Sequence, residues 1–250
     1  MDLQTARWLN DLNTAFYAHA YASFDATRQA PWQGWERVRD AMSAQGIPQE
    51  GHGLRVLDLA CGNLRFARFL AGDYPRLRVW GVDNCAPLAL AGKPHDACDV
   101  HIQDLDITGT LLDGHDLASK IEAPPCDLSV CFGFLHHVAM PSHRLQVVRA
   151  LVRHTRPGGL VAISLWQLER SPRILAKAQP LGEDGDYLLG WQNDPDAQRY
   201  CHSFSEDEVD ELAAASGQAT EIARYSADGK SGDLNRYLVL RVNRSDKPND

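Results

Sequence analysis

The segment Val56-Leu57-Asp58-Leu59-Ala60-Cys61-Gly62-Asn63 constrains the fold more than any other part of this chain. An apolar run broken by one acid reads as a strand buried on both faces, and the Gly/Asn pair behind it reads as a tight turn into a helix. In open α/β sheets, ligands bind where strands end and a tight turn lets the main chain come close. The phosphate-cradling form of this turn spaces three glycines so that a helix N-terminus meets a diphosphate. Here the three positions are Ala60, Gly62 and Leu64, and Asp58 sets a negative charge where a diphosphate would sit. A dinucleotide therefore fits poorly, whereas a cationic ligand is favoured beside Asp58.

Two more strand patterns end in acids. Val79-Trp80-Gly81-Val82 runs into Asp83, followed by Asn84, at the separation from the first turn where an Asp or Glu accepts both hydroxyls of a ribose. The next pattern ends at Gln103-Asp104, followed by Leu105, and Asp104 can accept from an adenine amino group. Taken singly, each Asp is more often a turn or cap residue. On three successive strand ends they form a row suited to a nucleoside.

Around this row, strand patterns at 54–59, 77–82, 100–103, 128–132 and 160–165 alternate with helical patterns at 64–70 and 143–152. Such alternation predicts a parallel sheet with right-handed crossovers. Before it, a helix is expected over 6–24 with an apolar stripe through Trp8, Leu9, Leu12, Phe16, Tyr17 and Tyr21, and a second is expected from Pro31 through Trp35, Val38 and Met42. After Leu165 the pattern weakens into an irregular stretch rich in Pro and Gly, long enough to be a functional excursion. Ser205 with Glu208 forms a capping box for a later helix, and strand patterns near 221–225 and 237–242 suggest a closing antiparallel hairpin. The expected organisation is one domain over 1–250: a helical cap (1–50), a ligand-binding core (51–166), an insert (167–204), a closing helix and hairpin (205–243) and a frayed polar tail (244–250).

The net charge of −8 argues against a broadly basic surface for nucleic acid, so an RNA substrate needs a local basic patch or a partner. Arg170, Arg173 and Lys177, like Arg149, Arg153 and Arg156, are candidate stripes for that role, although solvated helix faces look the same. No run approaches the roughly 20 apolar residues of a membrane span. The first twenty residues show no signal-peptide pattern, so a soluble, cytoplasmic protein is expected. Cys61, Cys85, Cys98, Cys126, Cys131 and Cys201 contain no C-x-x-C pair and read as small buried hydrophobes, with no metal site expected.

The order Asp58…Gly62, Asp83, Asp104, Cys126-Asp127-Leu128-Ser129-Val130 and Arg156-Pro157-Gly158-Gly159 resembles the class I S-adenosylmethionine-dependent methyltransferases. That resemblance implies an α/β fold with a Rossmann-like seven-stranded mixed sheet flanked by helices, here with N-terminal helices and an insert after strand 5. It also implies S-adenosylmethionine as cofactor, held by Asp58, Ala60, Cys61, Gly62, Asp83, Asn84, Asp104, Leu105 and Phe132. Leu64 departs from the family's small third residue. Outside the core, Phe24, Thr27-Arg28, Pro31-Trp32, His136-His137, Trp166 with Glu169, and Arg199-Tyr200-Cys201-His202 with Phe204 resemble the enzymes that methylate 5-carboxymethyluridine at the tRNA wobble position, including the methyltransferase domain of AlkB-homologue proteins.

By that resemblance the acceptor is a carboxylate, already nucleophilic at neutral pH, with Arg28 and Arg199 as bidentate clamps. Tyr200 and His202 are then candidates for holding uracil or ribose, and the family implies a small zinc-binding activator subunit. From the residues alone, His136 and His137 are candidate general bases, and each can equally be a packed histidine. Trp32 and Trp166 are candidate stacking platforms or core. The catalytic candidates are thus Arg28, His136, His137, Arg199 and Tyr200. Three other readings stay open: a methyltransferase acting on a small carboxylate, hydroxyl or amine; a nicotinamide oxidoreductase on a similar sheet; and a non-catalytic S-adenosylmethionine-binding scaffold.

Overall fold

The computed structural model describes residues 1–49, 51–92, 98–182, 185–192 and 194–244. In chain order the elements are α1 (Leu3–Ala26), α2 (Gly34–Ala44), β1 (Leu54–Leu59), α3 (Arg65–Ala71), β2 (Leu77–Asp83), α4 (Ala86–Ala91), β3 (Cys98–Asp104), α5 (Ile107–Leu112), α6 (Leu117–Lys120) and β4 (Cys126–Cys131). They continue with α7 (Pro141–Arg153), β5 (Thr155–Trp166), α8 (Pro172–Leu175), β6 (Ala178–Pro180), β7 (Asp186–Trp191), β8 (Asp194–His202), α9 (Glu206–Ala215), β9 (Ala219–Ala227) and β10 (Asn235–Val242).

Seven strands form one sheet in the order β3-β2-β1-β4-β5-β10-β9, with β10 antiparallel to both neighbours. This is the Rossmann-like mixed sheet expected from the alternating pattern. Every residue of β4 is buried, as a central strand covered on both faces requires. Leu59, Val148, Leu151 and Ile163 pack on one face, while Trp35, Val38, Leu70 and Val79 pack on the other. The chain order reverses between β1 and β4, and the cleft opens at the strand ends on that switch point.

The structure corrects several sequence expectations. In α1 the buried stripe is Ala6, Leu9, Asn13, Phe16 and Ala20, and Trp8 is half exposed, because the helix turns its small residues and one Asn inward. α2 begins at Gly34 rather than at Pro31. The strand expected over 160–165 begins earlier, at Thr155, and takes in Arg156-Pro157-Gly158-Gly159, where the β4 pairing slips between Cys126 and Leu128. Three short helices, α4 to α6, lack a periodic signal of their own.

The largest correction concerns the stretch after Leu165. It is not irregular: β6, β7 and β8 form a separate antiparallel sheet, hidden in the sequence by its glycines and prolines. The β8 edge lies against α1. The predicted Ser205–Glu208 capping box is present on α9. Residues 245–250 of the expected tail lie outside the described residues. No helix among the described residues is long and apolar enough to cross a membrane.

Candidate active site

The turn after β1 takes three left-handed residues in five: Ala60 (φ 62°), Gly62 (φ 50°) and Leu64 (φ 56°). Such backbone costs a non-glycine residue about 1 kcal/mol or more, so surrounding structure must hold it. It does: Ala60 and Cys61 N–H donate to the Val82 carbonyl at 2.7 and 3.1 Å, and Gly62 N–H donates to the Asp83 carboxylate at 2.8 Å. Leu64, the departure from the family pattern, turns its side chain into the core and leaves the cleft clear. A Cβ on Gly62 would meet nothing closer than Leu88 at 3.8 Å, so the space above the turn is open.

Asp83 accepts from Gly62 N–H with one oxygen and from Cys85 N–H with the other, both at 2.8 Å. A carboxylate has about four acceptor positions, so two stay free for a pair of hydroxyls. Burial nevertheless raises its pKa above the usual carboxylate range. Asp58 lies beneath the turn, 3% exposed, and burial with help from the Asp83 charge pushes its pKa up to about 7. One buried and one half-buried acid beside an open turn suit a ligand carrying ribose hydroxyls and positive charge, which is the chemistry of S-adenosylmethionine.

Asp58, Ala60, Cys61, Gly62, Asp83, Asn84, Leu105 and Phe132 all line one cleft. Asp104 does not. It stands beside Asp83 in register, exposed, while its neighbours Leu105 and Asp106 form the wall. Asp106 caps α5 through Gly109 N–H at 2.8 Å and accepts from Asn10 Nδ2 at 2.9 Å, which ties α1 to this wall.

The same cleft is also lined by Arg28, His136, His137 and Arg199. His136 and His137 lie on a single 3-10 turn (Leu135–His137) after β4. The His136 ring is 1% exposed and stacks on Trp166 with centroids 4.0 Å apart and planes 9° apart. Its Nδ1 is buried without a partner. Burial, reinforced by His137, Arg199 and other nearby cations, drives its pKa well below the ordinary value, so the ring is neutral.

His137 is bound at both ends: Nδ1 lies 2.7 Å from the Tyr200 carbonyl and Nε2 lies 2.9 Å from the Tyr17 hydroxyl. A carbonyl can only accept, so Nδ1 carries the hydrogen and Nε2 accepts from Tyr17. Burial holds its pKa down at about 3, partly countered by the Tyr200 carbonyl.

Arg199 is 3% exposed and its Nη1 is buried without a partner. Its guanidinium lies over Phe16 at 4.7 Å and over Trp191 at 5.3 Å. Arg28 stacks on Phe24 at 4.7 Å and lies 5.8 Å from Trp191. Neither guanidinium meets a carboxylate among the described residues. Burial lowers the Arg28 pKa, as it must when a cation has no counter-ion.

Tyr200 is not brought into the cleft. Along β8 Arg199 lines the cleft, whereas Tyr200 and His202, the residues expected to hold an acceptor base, are not among its lining residues. The Trp166 face is already taken by His136, and Trp32 packs on Trp35 at 5.4 Å. Of the candidate basic stripes, Arg153 pairs with Asp116 and Arg156 with Asp127, so these cations are neutralised within the protein.

Sequence reasoning missed Asn13, Tyr17 and Trp191. Asn13 accepts from Tyr200 N–H at 2.7 Å and donates to the His137 carbonyl at 3.4 Å, fastening β8 to the histidine turn. A polar residue in the middle of an apolar helical stripe was the available signal.

His136, His137 and Cys201 also offer ligand atoms within 4.8 Å of one another. His137 has both nitrogens engaged, and burial raises the Cys201 thiol to about 11. A metal dication there would break two hydrogen bonds and sit beside a buried guanidinium, so the trio is read as part of the cleft wall.

Residues 57–161 match a family model described as a methyltransferase domain. This stretch, which spans β1 to β5, is thus similar to a methyltransferase domain. A probable tRNA methyltransferase 9B of Bos taurus is 23% identical over 171 residues, covering 68% of this chain and 32% of the relative. A tRNA (carboxymethyluridine(34)-5-O)-methyltransferase of Mus musculus is 24% identical over 229 residues, covering 92% of this chain and 27% of the relative. The chain thus spans a third or less of the length of these relatives. Among solved structures, an S-adenosylmethionine-dependent methyltransferase of Clostridium acetobutylicum superposes with a TM-score of 0.60 at 13% identity, covering 91% of this chain and 98% of the other. A sugar-modifying relative, an amino pentose methyltransferase of Micromonospora echinaspora, gives 0.56 at 15% identity, covering 90% of this chain and 97% of the other. The methyltransferase domain therefore shares its sheet with enzymes of different acceptors.

Proposed function

We propose that this protein methylates a carboxylate, and that the carboxylate is that of a 5-carboxymethyluridine-like base in tRNA. One observation carries the reading: Arg28 and Arg199 both line the cleft, both lie near Trp191, neither pairs with a carboxylate among the described residues, and Arg199 Nη1 is buried without a partner. A buried guanidinium left unpaired costs several kcal/mol, so an anionic ligand arriving there meets a prepared site. The mouse relative is named for methylation of such an acceptor.

The bound cofactor supplies an electrophilic methyl group on a sulfonium sulfur. An acceptor carboxylate oxygen attacks that carbon with its lone pair, the carbon–sulfur bond breaks, the sulfur keeps the electron pair, and a methyl ester forms. No proton has to move. The site matches this economy, because its two histidines are neutral and one is fully engaged in hydrogen bonds. Arg199 and Arg28 hold the carboxylate, Asp83 the ribose, and the aromatic wall excludes water; catalysis comes from orientation.

Methyl transfer from labelled cofactor to tRNA bearing 5-carboxymethyluridine tests the proposal. RNA left unlabelled, with a candidate activator subunit also supplied, would overturn it. A second reading, a small carboxylate acceptor, is favoured by the net charge of −8 and by the internal pairing of Arg153 and Arg156. Labelling of small-molecule extracts in the absence of tRNA labelling selects it.

A further inference from the structure

Behind the acceptor wall lies a second charged cluster that the cleft does not use. His202, 3% exposed, places Nδ1 2.6 Å from Asp186 Oδ1 and Nε2 2.7 Å from Glu208 Oε1. Glu208 Oε1 also accepts from Arg144 Nη1 at 2.9 Å, and Asp186 Oδ1 accepts from the Tyr200 hydroxyl at 2.5 Å. Arg144, itself 3% exposed, spends its remaining nitrogens on the Val138 and Ala139 carbonyls and on Tyr200. Four elements meet here: Asp186 from β7, Tyr200 and His202 from β8, Arg144 from α7 and Glu208 from α9.

A neutral imidazole has one N–H, and would turn a lone pair toward one of the two carboxylates. With both carboxylates ionised, the geometry calls for the doubly protonated ring. The cluster then holds two cations, His202 and Arg144, and two anions, Asp186 and Glu208, and is neutral as a unit. Burial tends to raise the Glu208 pKa, but the His202 contact and the Ser205 N–H overcome it and bring it to about 2.

The cluster is joined to the cleft through one strand. The Tyr200 main chain is pinned by Asn13 and His137, the side chains of Tyr200 and His202 are pinned by Asp186, and Arg199 is the neighbour that faces the cleft. We propose that His202 is a positioning residue for the acceptor: held between Asp186 and Glu208, it fixes β8 so that Arg199 faces the cleft. The proposal rests on the carboxylate-acceptor reading, and it explains why one short sequence, Arg199-Tyr200-Cys201-His202, alternates between cleft and lock.

The test compares wild type with His202→Gln, with Asp186→Asn as the variant to use if the first fails to fold. With tRNA bearing 5-carboxymethyluridine as acceptor, His202→Gln raises KM about tenfold while kcat and the S-adenosylhomocysteine Kd stay within about twofold. Labelling of Arg199 by phenylglyoxal, read by peptide mass spectrometry, speeds up by a similar factor, and Tyr200→Phe shows a smaller change. In wild type, long-range proton–nitrogen spectra show His202 with both nitrogens protonated. Unchanged KM and unchanged Arg199 labelling overturn the proposal, as does a neutral His202 or a loss of S-adenosylhomocysteine affinity in step with KM. If wild type itself transfers no methyl to that tRNA, the acceptor reading falls, and Arg199 labelling with the His202 spectrum decides the lock alone.

Discussion

The two walls of the cleft are built from opposite charges by opposite structural means. On the parallel sheet, Asp58 and Asp83 stand at strand ends, and Asp83 is braced by main-chain N–H groups of its own turns. Arg199, on the small antiparallel sheet, and Arg28, just past the end of α1, are braced by aromatic faces, and neither meets a carboxylate among the described residues. The first wall suits a cation bearing ribose, the second an anion. On the proposed roles, binding of the methyl donor and choice of acceptor are separable, because Asp58 and Asp83 belong to one sheet and Arg199 to the other.

The sharpest way to break this separation is Arg199→Ala. Removing one partner of a desolvated charge pair typically costs 2–5 kcal/mol, so kcat/KM for the acceptor should fall by about a hundredfold to a thousandfold. Arg199→Lys recovers only part, because an ammonium cannot meet a carboxylate bidentately. In both variants the S-adenosylhomocysteine Kd should stay within about twofold by calorimetry. A parallel loss of cofactor affinity would mean that the walls are one unit.

The reciprocal experiment is Asp83→Ala. It deletes two free acceptor positions and also orphans the Gly62 and Cys85 N–H groups, so S-adenosylhomocysteine should bind about a hundredfold more weakly, near 3 kcal/mol. Full binding by this variant would remove Asp83 from the site.

A smaller effect concerns Asp58. With its pKa near 7 in the free protein, it is protonated at acid pH and must ionise to serve a cationic ligand. Binding then releases a proton, so affinity should rise with pH up to about 7 and level off, by about tenfold between pH 6 and 8. The sign for stability is the reverse. The folded form holds its proton more tightly than the unfolded one, so the unliganded protein loses stability as pH rises from about 4 toward 7. Calorimetry in buffers of different ionisation enthalpy measures the released proton, and Asp58→Asn should abolish it.

The donor wall was far more legible in the sequence than the acceptor wall. Asp58, Gly62 and Asp83 are local: each belongs to a strand and the turn that follows it, and both strand pattern and turn chemistry are written in consecutive residues. Asp104 shows the limit of that reading, since its place in the row is clear while its exposed side chain leaves the cleft wall to Asp106. The acceptor wall joins residues from both ends of the chain. Trp191 receives Arg28 from the end of α1 and Arg199 from β8, contacts that no local pattern announces. The alternation that turns Tyr200 outward required knowing that this segment is a strand, and its prolines and glycines concealed that.

The smallest expected effect separates the two histidines from acid–base chemistry. His137 donates to the Tyr200 carbonyl and accepts from Tyr17, so neither nitrogen is available to take a proton from an acceptor, and its pKa lies near 3. His136 is neutral as well, held by burial and by cations around it. The pH profile of kcat/KM should therefore lack a histidine limb near pH 6.5, and His136→Gln should cost about tenfold at most, by disturbing the stack on Trp166 rather than by removing a base. Protonating either ring has to be coupled to opening the site. The unfolded state binds more protons between about pH 3 and 6.5, so these histidines make the fold less stable as pH falls through that window. A limb near pH 6.5 that disappears in His136→Gln would assign His136 as a base, and with it an acceptor that must lose a proton, which a carboxylate does not.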